Sequence, residues 1–192
     1  MSRAPETARA AARSALEAFG GGTLQVARYY DEPEEHSVNI LHCADRPGVG
    51  FDSYSTVDLH LVENWLEGDD IRVELACVVE SSASAMANVL ATAAFNVMKD
   101  GWLAAPGVVF PDLLSEYDLS ETFRNVLWME PFVHQQLSEV DLGDGLRAHW
   151  LMAMPISEAE RRFLVSEGYF ELERRFEAAQ VEYWNLNREP LV

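Results

Sequence analysis

A chain of 192 residues that is 48% apolar is long enough to bury roughly 70% of the surface its unfolded form exposes, which excludes a disordered or fibrous protein. Fourteen basic residues against 32 acidic ones leave a formal charge of −18, a field that repels nucleic acid and anionic membrane and favours a cationic partner. Cys43 and Cys77 are too few and too far apart for a disulfide framework, and no Cys-x-x-Cys occurs.

In chain order, Glu6 to Phe19 is Ala-rich with Arg and Glu between, and Gly20-Gly-Gly22 stops it, so residues 1–20 hold a helix. Arg3, Glu6, Arg9, Arg13 and Glu17 interrupt any apolar run there, so no secretory signal is expected and the cytoplasm is the expected location. Leu24–Tyr30 and Ser37–Cys43 read as strands, and Asp45–Gly50 as a turn. The central block follows. Phe51–His60 reads as a strand, and Ile71–Val79 as a second, with Ile71, Val73, Leu75, Cys77 and Val79 on one parity facing a core. Ser81–Met98 has no such alternation; its Ala and Met predict a helix buried nearly all round, and its Ser, Thr and Asn make it too polar to span a membrane. Lys99-Asp-Gly101 closes that helix, and Trp102–Pro111 is an irregular apolar connection. Phe123–Glu130 reads as a strand stopped by Pro131. Gln136–Asp141 and Leu146–Met154 flank Leu142-Gly-Asp-Gly145 as a hairpin. Ser157-Glu-Ala-Glu160 is a capping box that opens a helix to about Ser166. Tyr169–Ala179 is a further helix, and Val181–Asn187 a short edge strand or an ordered cap. The fold class is α+β: a mixed, largely antiparallel sheet flanked by helices, in a single domain over 1–192.

Catalytic signatures are missing. No Gly-x-Ser-x-Gly elbow is present, Gly20–Gly22 precedes a strand rather than opening a helix, and the one lysine is Lys99. His36, His42, His60, His134 and His149 form no metal-binding pair, and the loop holding Asp141 and Asp144 is too short for a calcium site. Thr56, Asp58 and His60 are expected on one strand face and Arg72 and Glu74 on the next; paired in register, they form one polar patch suited to proton transfer or an anion. The plainer reading is an outer face with cross-strand ion pairs. No catalytic, cofactor or metal residue is assigned.

The charge is uneven. Residues 1–30 carry four arginines against two glutamates, a net of +2, whereas residues 31–75 carry twelve acids against Arg46 and Arg72, a net of −10. Two clusters dominate, Asp31, Glu32, Glu34 and Glu35, then Glu63, Glu67, Asp69 and Asp70. Both are expected in loops, and together they are the candidate partner-binding residues.

Tyr54-Ser-Thr-Val-Asp-Leu-His60, Arg72-Val-Glu-Leu75 and Trp150-Leu-Met-Ala-Met-Pro-Ile-Ser-Glu-Ala-Glu160 follow one another as in the Suppressor-of-fused domain family. Gly168 with the helix after it, and Asn187-Arg188, resemble the family's C-terminal end. The resemblance runs over 38–188; Asp58 and His60 depart from it, standing where the family pattern has glycine and serine. Stand-alone bacterial members are similar to immunity proteins of polymorphic toxin systems, including antitoxins of LXG-type toxins. The resemblance therefore implies a protein-binding module without catalysis or cofactor, an antitoxin gripping a cognate toxin, and the charge of −18 adds the expectation that this toxin or other protein partner is cationic, with no nucleic acid or membrane. Two alternatives remain, a scaffold sequestering another intracellular protein and a hydrolase built on Asp58, His60 and Glu74.

Overall fold

Alternating apolar strands leave a sheet with two faces to cover, and helices cover both. The computed structural model describes residues 5–134, 136–137, 139–143 and 145–192. In order they form α1 (Glu6–Ala18), β1 (Leu24–Tyr30), β2 (Ser37–Cys43), β3 (Phe51–Thr56), β4 (Trp65–Leu66), β5 (Asp69–Asp70), β6 (Arg72–Glu80), α2 (Met86–Asp100), β7 (Val109–Phe110), β8 (Phe123–Met129), β9 (Glu139–Gly143), β10 (Leu146–Ser157), α3 (Glu158–Glu167) and α4 (Tyr169–Ala179). Among the described residues eight strands make one sheet in the order β1-β2-β3-β6-β10-β8-β7, with β9 also on β10, while β4 and β5 pair separately. All neighbours run antiparallel except β6 and β10, where Ala148 pairs with Arg72 and Met152 with Ala76. This is the mixed, mostly antiparallel α+β sheet the sequence predicts.

One face packs on α2, whose Met86, Val89, Leu90, Ala93 and Val97 meet Leu75, Cys77 and Val79 of β6 and Trp128 of β8. On the other face, Ala11 and Ala15 of α1 and the following Phe19 cover Leu41, Ala76, Val78 and Trp150. Small side chains at spacings of three and four let that helix approach the sheet closely. Leu172 and Phe176 of α4 continue the layer over Leu127, Met129, Met154 and Ile156. Because β6 is covered twice, every residue from Val73 to Val79 is buried, as a strand in a parallel pair requires. Cys77 is a core residue, as its parity predicts.

Several boundaries differ from expectation, and in the hairpin β9 starts at Glu139 rather than Gln136 while β10 runs on past Met154 to Ser157. The strand from Phe51 ends at Thr56, not His60: the Val57 amide turns to the Asn39 carbonyl, and Leu59–Leu61 wind into a 3-10 turn. Thr56, Asp58 and His60 therefore do not share a strand face. The core helix starts at Met86 rather than Ser81, because the Ser81 hydroxyl is held by Asp52 at 2.6 Å and the Ala83 amide turns back to Glu80. Asn88, Lys99 and Asp100 of the helix are exposed and Thr92 and Asn96 half-buried, so the burial is broad but not complete. Residues 181–187 form turns and no strand; Ser120 donates to the Leu186 carbonyl, and Leu186 is buried, so this segment caps the sheet. The Glu63–Asp70 loop contains the β4–β5 ladder. Ser138, in the expected strand 136–141, and Asp144, in the hairpin tip, lie outside the described residues.

Candidate functional site

Strand register brings the two acidic clusters to one end of the sheet. Tyr30 pairs with Ser37, closing the β1–β2 turn, while Ile40 pairs with Thr56, so the loop leaving β3 emerges beside that turn. β6 runs back antiparallel to β3, so Asp69 and Asp70, just before it, lie at the same end.

The eight carboxylates are not alike. Asp31 is turned inward, 6% exposed, accepting from the His36 amide at 2.9 Å with Lys99 Nζ at 3.3 Å. Burial pushes its pKa up, but the His36 amide and ring and the Lys99 ammonium outweigh it and hold the group at about 2. Lys99, near the end of α2, thereby fastens the β1–β2 turn to the helix. Glu32, Glu34 and Glu35 of that turn face solvent. In the second cluster Glu63 accepts from the Trp65 indole at 3.0 Å, and exposed Glu67 and Gly68, both at positive φ, form the tip of the β4–β5 hairpin. Asp69 is exposed, whereas Asp70 is part-buried and ion-paired with Arg72 at 2.6 Å.

The polar groups expected on adjacent strands do meet, but inside the protein. Glu74 is fully buried; His60 Nδ1 lies 2.5 Å from Oε1, the Thr56 hydroxyl donates to Oε2, and the Leu59 and His60 amides each donate at 3.3 Å. Burial pushes the Glu74 pKa up, against the pull of His60 and Thr56. Arg72 donates to the His60 carbonyl at 3.0 Å. Asp58 is elsewhere, bound to the Asn39 amide at 2.8 Å and to its side chain. Glu74 thus acts as the anchor of the loop that carries the second acidic cluster. With His60 at 1% exposure, the arrangement offers a substrate no access to the imidazole. Among the described residues no three His, Cys, Asp or Glu side chains group as a metal ion requires, and no helix is long and apolar enough to cross a membrane.

A cleft of about 500 Å³ opens at the same end. It lies where β8 leaves β10 beyond Met129 and β9 takes its place. Its walls are Leu66, Ile71, Val73, Pro106, Pro131 and Leu151, with Glu130 and His149 as polar members. Trp65, next to Leu66, is 57% exposed, so apolar surface continues onto the β4–β5 hairpin between the carboxylates. Sequence reasoning missed this cleft. It arises from the splaying of two strands, and Ala104-Ala105-Pro106 carries no motif.

The sequence matches the Suppressor of fused protein (SUFU) family over residues 34–189. The chain belongs to the Suppressor of fused family. It is 34% identical over 183 residues to immunity protein YqcF of Bacillus subtilis (strain 168), covering 94% of this chain and 95% of that one. Among solved SUFU structures, a homologue from Neisseria gonorrhoeae FA 1090 superimposes with a TM-score of 0.75 at 18% identity, over 97% of each chain. A chain of the Sufu–Fu complex gives 0.68 at 11% identity, over 98% of this chain and 93% of that one. The SUFU fold therefore extends over nearly the whole of this chain.

Proposed function

We propose that this protein is an immunity protein that neutralises a cognate, basic toxin by direct binding, without catalysis, through the acidic end of its sheet. The observation that carries the reading is the gathering of six outward carboxylates, Glu32, Glu34, Glu35, Glu63, Glu67 and Asp69, at the end of the sheet where an apolar cleft opens, in a chain 34% identical to an immunity protein. The cleft and Trp65 supply the desolvated centre that a tight interface needs, and the carboxylates supply a rim that attracts cations. Asp31 and Asp70 serve this surface indirectly, by fixing the two loops.

The test is growth of cells expressing the reading frame adjacent to this one, with and without this chain. Rescue by the parent, lost on reversing Glu63, Glu67 and Asp69 to lysine in a variant that keeps its melting temperature, is the expected result. Rescue that survives reversal of both clusters overturns the acidic-end interface, and absence of rescue by the parent overturns the immunity reading for that pair.

A further inference from the structure

β1 ends the sheet and is poorly defended as an edge. Its seven residues pair with β2 without a bulge, from Leu24 opposite Cys43 to Tyr30 opposite Ser37. Six of the seven are exposed, and among the described residues its outward backbone groups meet no backbone partner. Edge strands are usually blunted by Pro, Lys, a bulge or shortness. β7, at the other end of the sheet, is two residues long, whereas β1 is seven residues long with no Pro, Lys or bulge, and Arg28 is its one charged side chain. On the α1 face it also presents Leu24, Val26 and Tyr30, which are 43%, 50% and 55% exposed.

We infer that this edge pairs antiparallel with β1 of a second copy, about a two-fold axis at Ala27, to make one continuous sheet. Charge selects the occupant and the direction. A chain at −18 repels its own copy over most of its surface, yet β1 carries a single charge, Arg28. Antiparallel pairing sets the Glu32–Glu35 turn of each copy level with Gly20–Gly22 of the other. There Arg46 donates to the Gly21 carbonyl at 3.0 Å and forms no ion pair among the described residues. Parallel pairing would stack the two acidic turns on each other. The register follows from the side chains: centred on Ala27, Leu24 lies opposite Tyr30 of the second copy, aliphatic against aromatic, and on the same face Val26 lies along the alkyl stem of Arg28. The acidic ends then point in opposite directions, and the cleft and β4–β5 hairpin of each copy, which lie away from this edge, stay open.

Sedimentation equilibrium of the full chain is expected to show a concentration-dependent dimer. Ala27→Cys is expected to form an interchain disulfide at least roughly tenfold faster than Gln25→Cys, since residues facing across the axis meet disulfide geometry and those two positions away do not. Cys43 and Cys77 are buried and do not compete. Leu24→Lys with Val26→Lys puts lysine against Arg28 and is expected to weaken the dimer at least about tenfold. A chain monomeric at every soluble concentration overturns the inference. So does a dimer in which Ala27→Cys links no faster than Gln25→Cys, a readout that decides the matter even if the lysine variant fails to fold.

Discussion

Truncating Glu74 to alanine strips the acceptor from four donors at once: the His60 ring, the Thr56 hydroxyl and the Leu59 and His60 amides. Each buried donor left without an acceptor costs about 1–3 kcal/mol, so a loss of at least about 3 kcal/mol is expected in denaturant unfolding. A loss under about 1 kcal/mol would place Glu74 on the solvated face that its strand parity suggests. The sequence puts the right residues near one another, but it counts Glu74 as outward. Alternation along one strand does not say whether the second face is covered, and at Glu74 the Leu59–Leu61 turn folds over it. Asp31 likewise cannot be told in the sequence from the other three acids of its cluster, because a turn rich in Asp and Glu gives no sign of which member faces a distant lysine. Its effect on stability has a definite sign. Held at about 2 against an ordinary 3.8, the group binds fewer protons folded than unfolded. Its contribution is full above 3.8 and drains away as pH falls toward 2. Asp31→Asn is therefore expected to be less stable than the parent by a constant margin above that range, and the margin should shrink toward pH 2. Melting curves of the pair through acid read this directly, and a margin independent of pH would contradict it.

Elements were legible where local chemistry sets their ends. The capping box at Ser157 is present in both halves, the Glu160 amide donating to the Ser157 hydroxyl at 3.1 Å and the Ser157 amide to Glu160 at 2.8 Å. α4 keeps its expected limits because Gly168 sits at φ 90° before it and Gln180 at φ 49° after it. Elements whose ends are set by distant groups were misread, as at Thr56 and at Ser81. Glu160 shows both effects in one residue. Sequence identifies it as a cap, but it is also the buried partner of Arg188 at 2.7 Å and the acceptor of the Leu191 amide, tying the C-terminal segment to α3. Ser157→Ala is thus expected to cost about 1 kcal/mol, the usual loss of a cap. Glu160→Ala is expected to cost about 3–5 kcal/mol, because Arg188 keeps its charge in a buried site. Equal losses in the two variants would reduce Glu160 to its capping role. Arg188 also stacks on the Phe123 ring at 4.1 Å, so Arg188→Lys is not expected to restore what Arg188→Ala removes.

For the molecule as a whole, the uneven charge was readable and its geometry was not. The sequence places most of the excess between residues 31 and 75; only the successive pairing of β1 with β2, β2 with β3 and β3 with β6 brings two loops some thirty residues apart to one end of the sheet. Carboxylates gathered on one end focus their field, which raises the rate of encounter with a cationic partner more than it slows departure. The proposed partner should therefore associate about ten- to a thousandfold faster at low ionic strength than at high salt, with dissociation little changed. Reversing Glu63, Glu67 and Asp69 to lysine should remove most of that salt dependence. Leu66→Ala, which trims the apolar wall of the cleft and leaves the charge alone, should act on dissociation instead. Stopped-flow mixing across a salt series separates the two rates for each variant. Were charge reversal to change only dissociation, or Leu66→Ala only association, the division between an attracting acidic rim and a holding apolar cleft would be wrong.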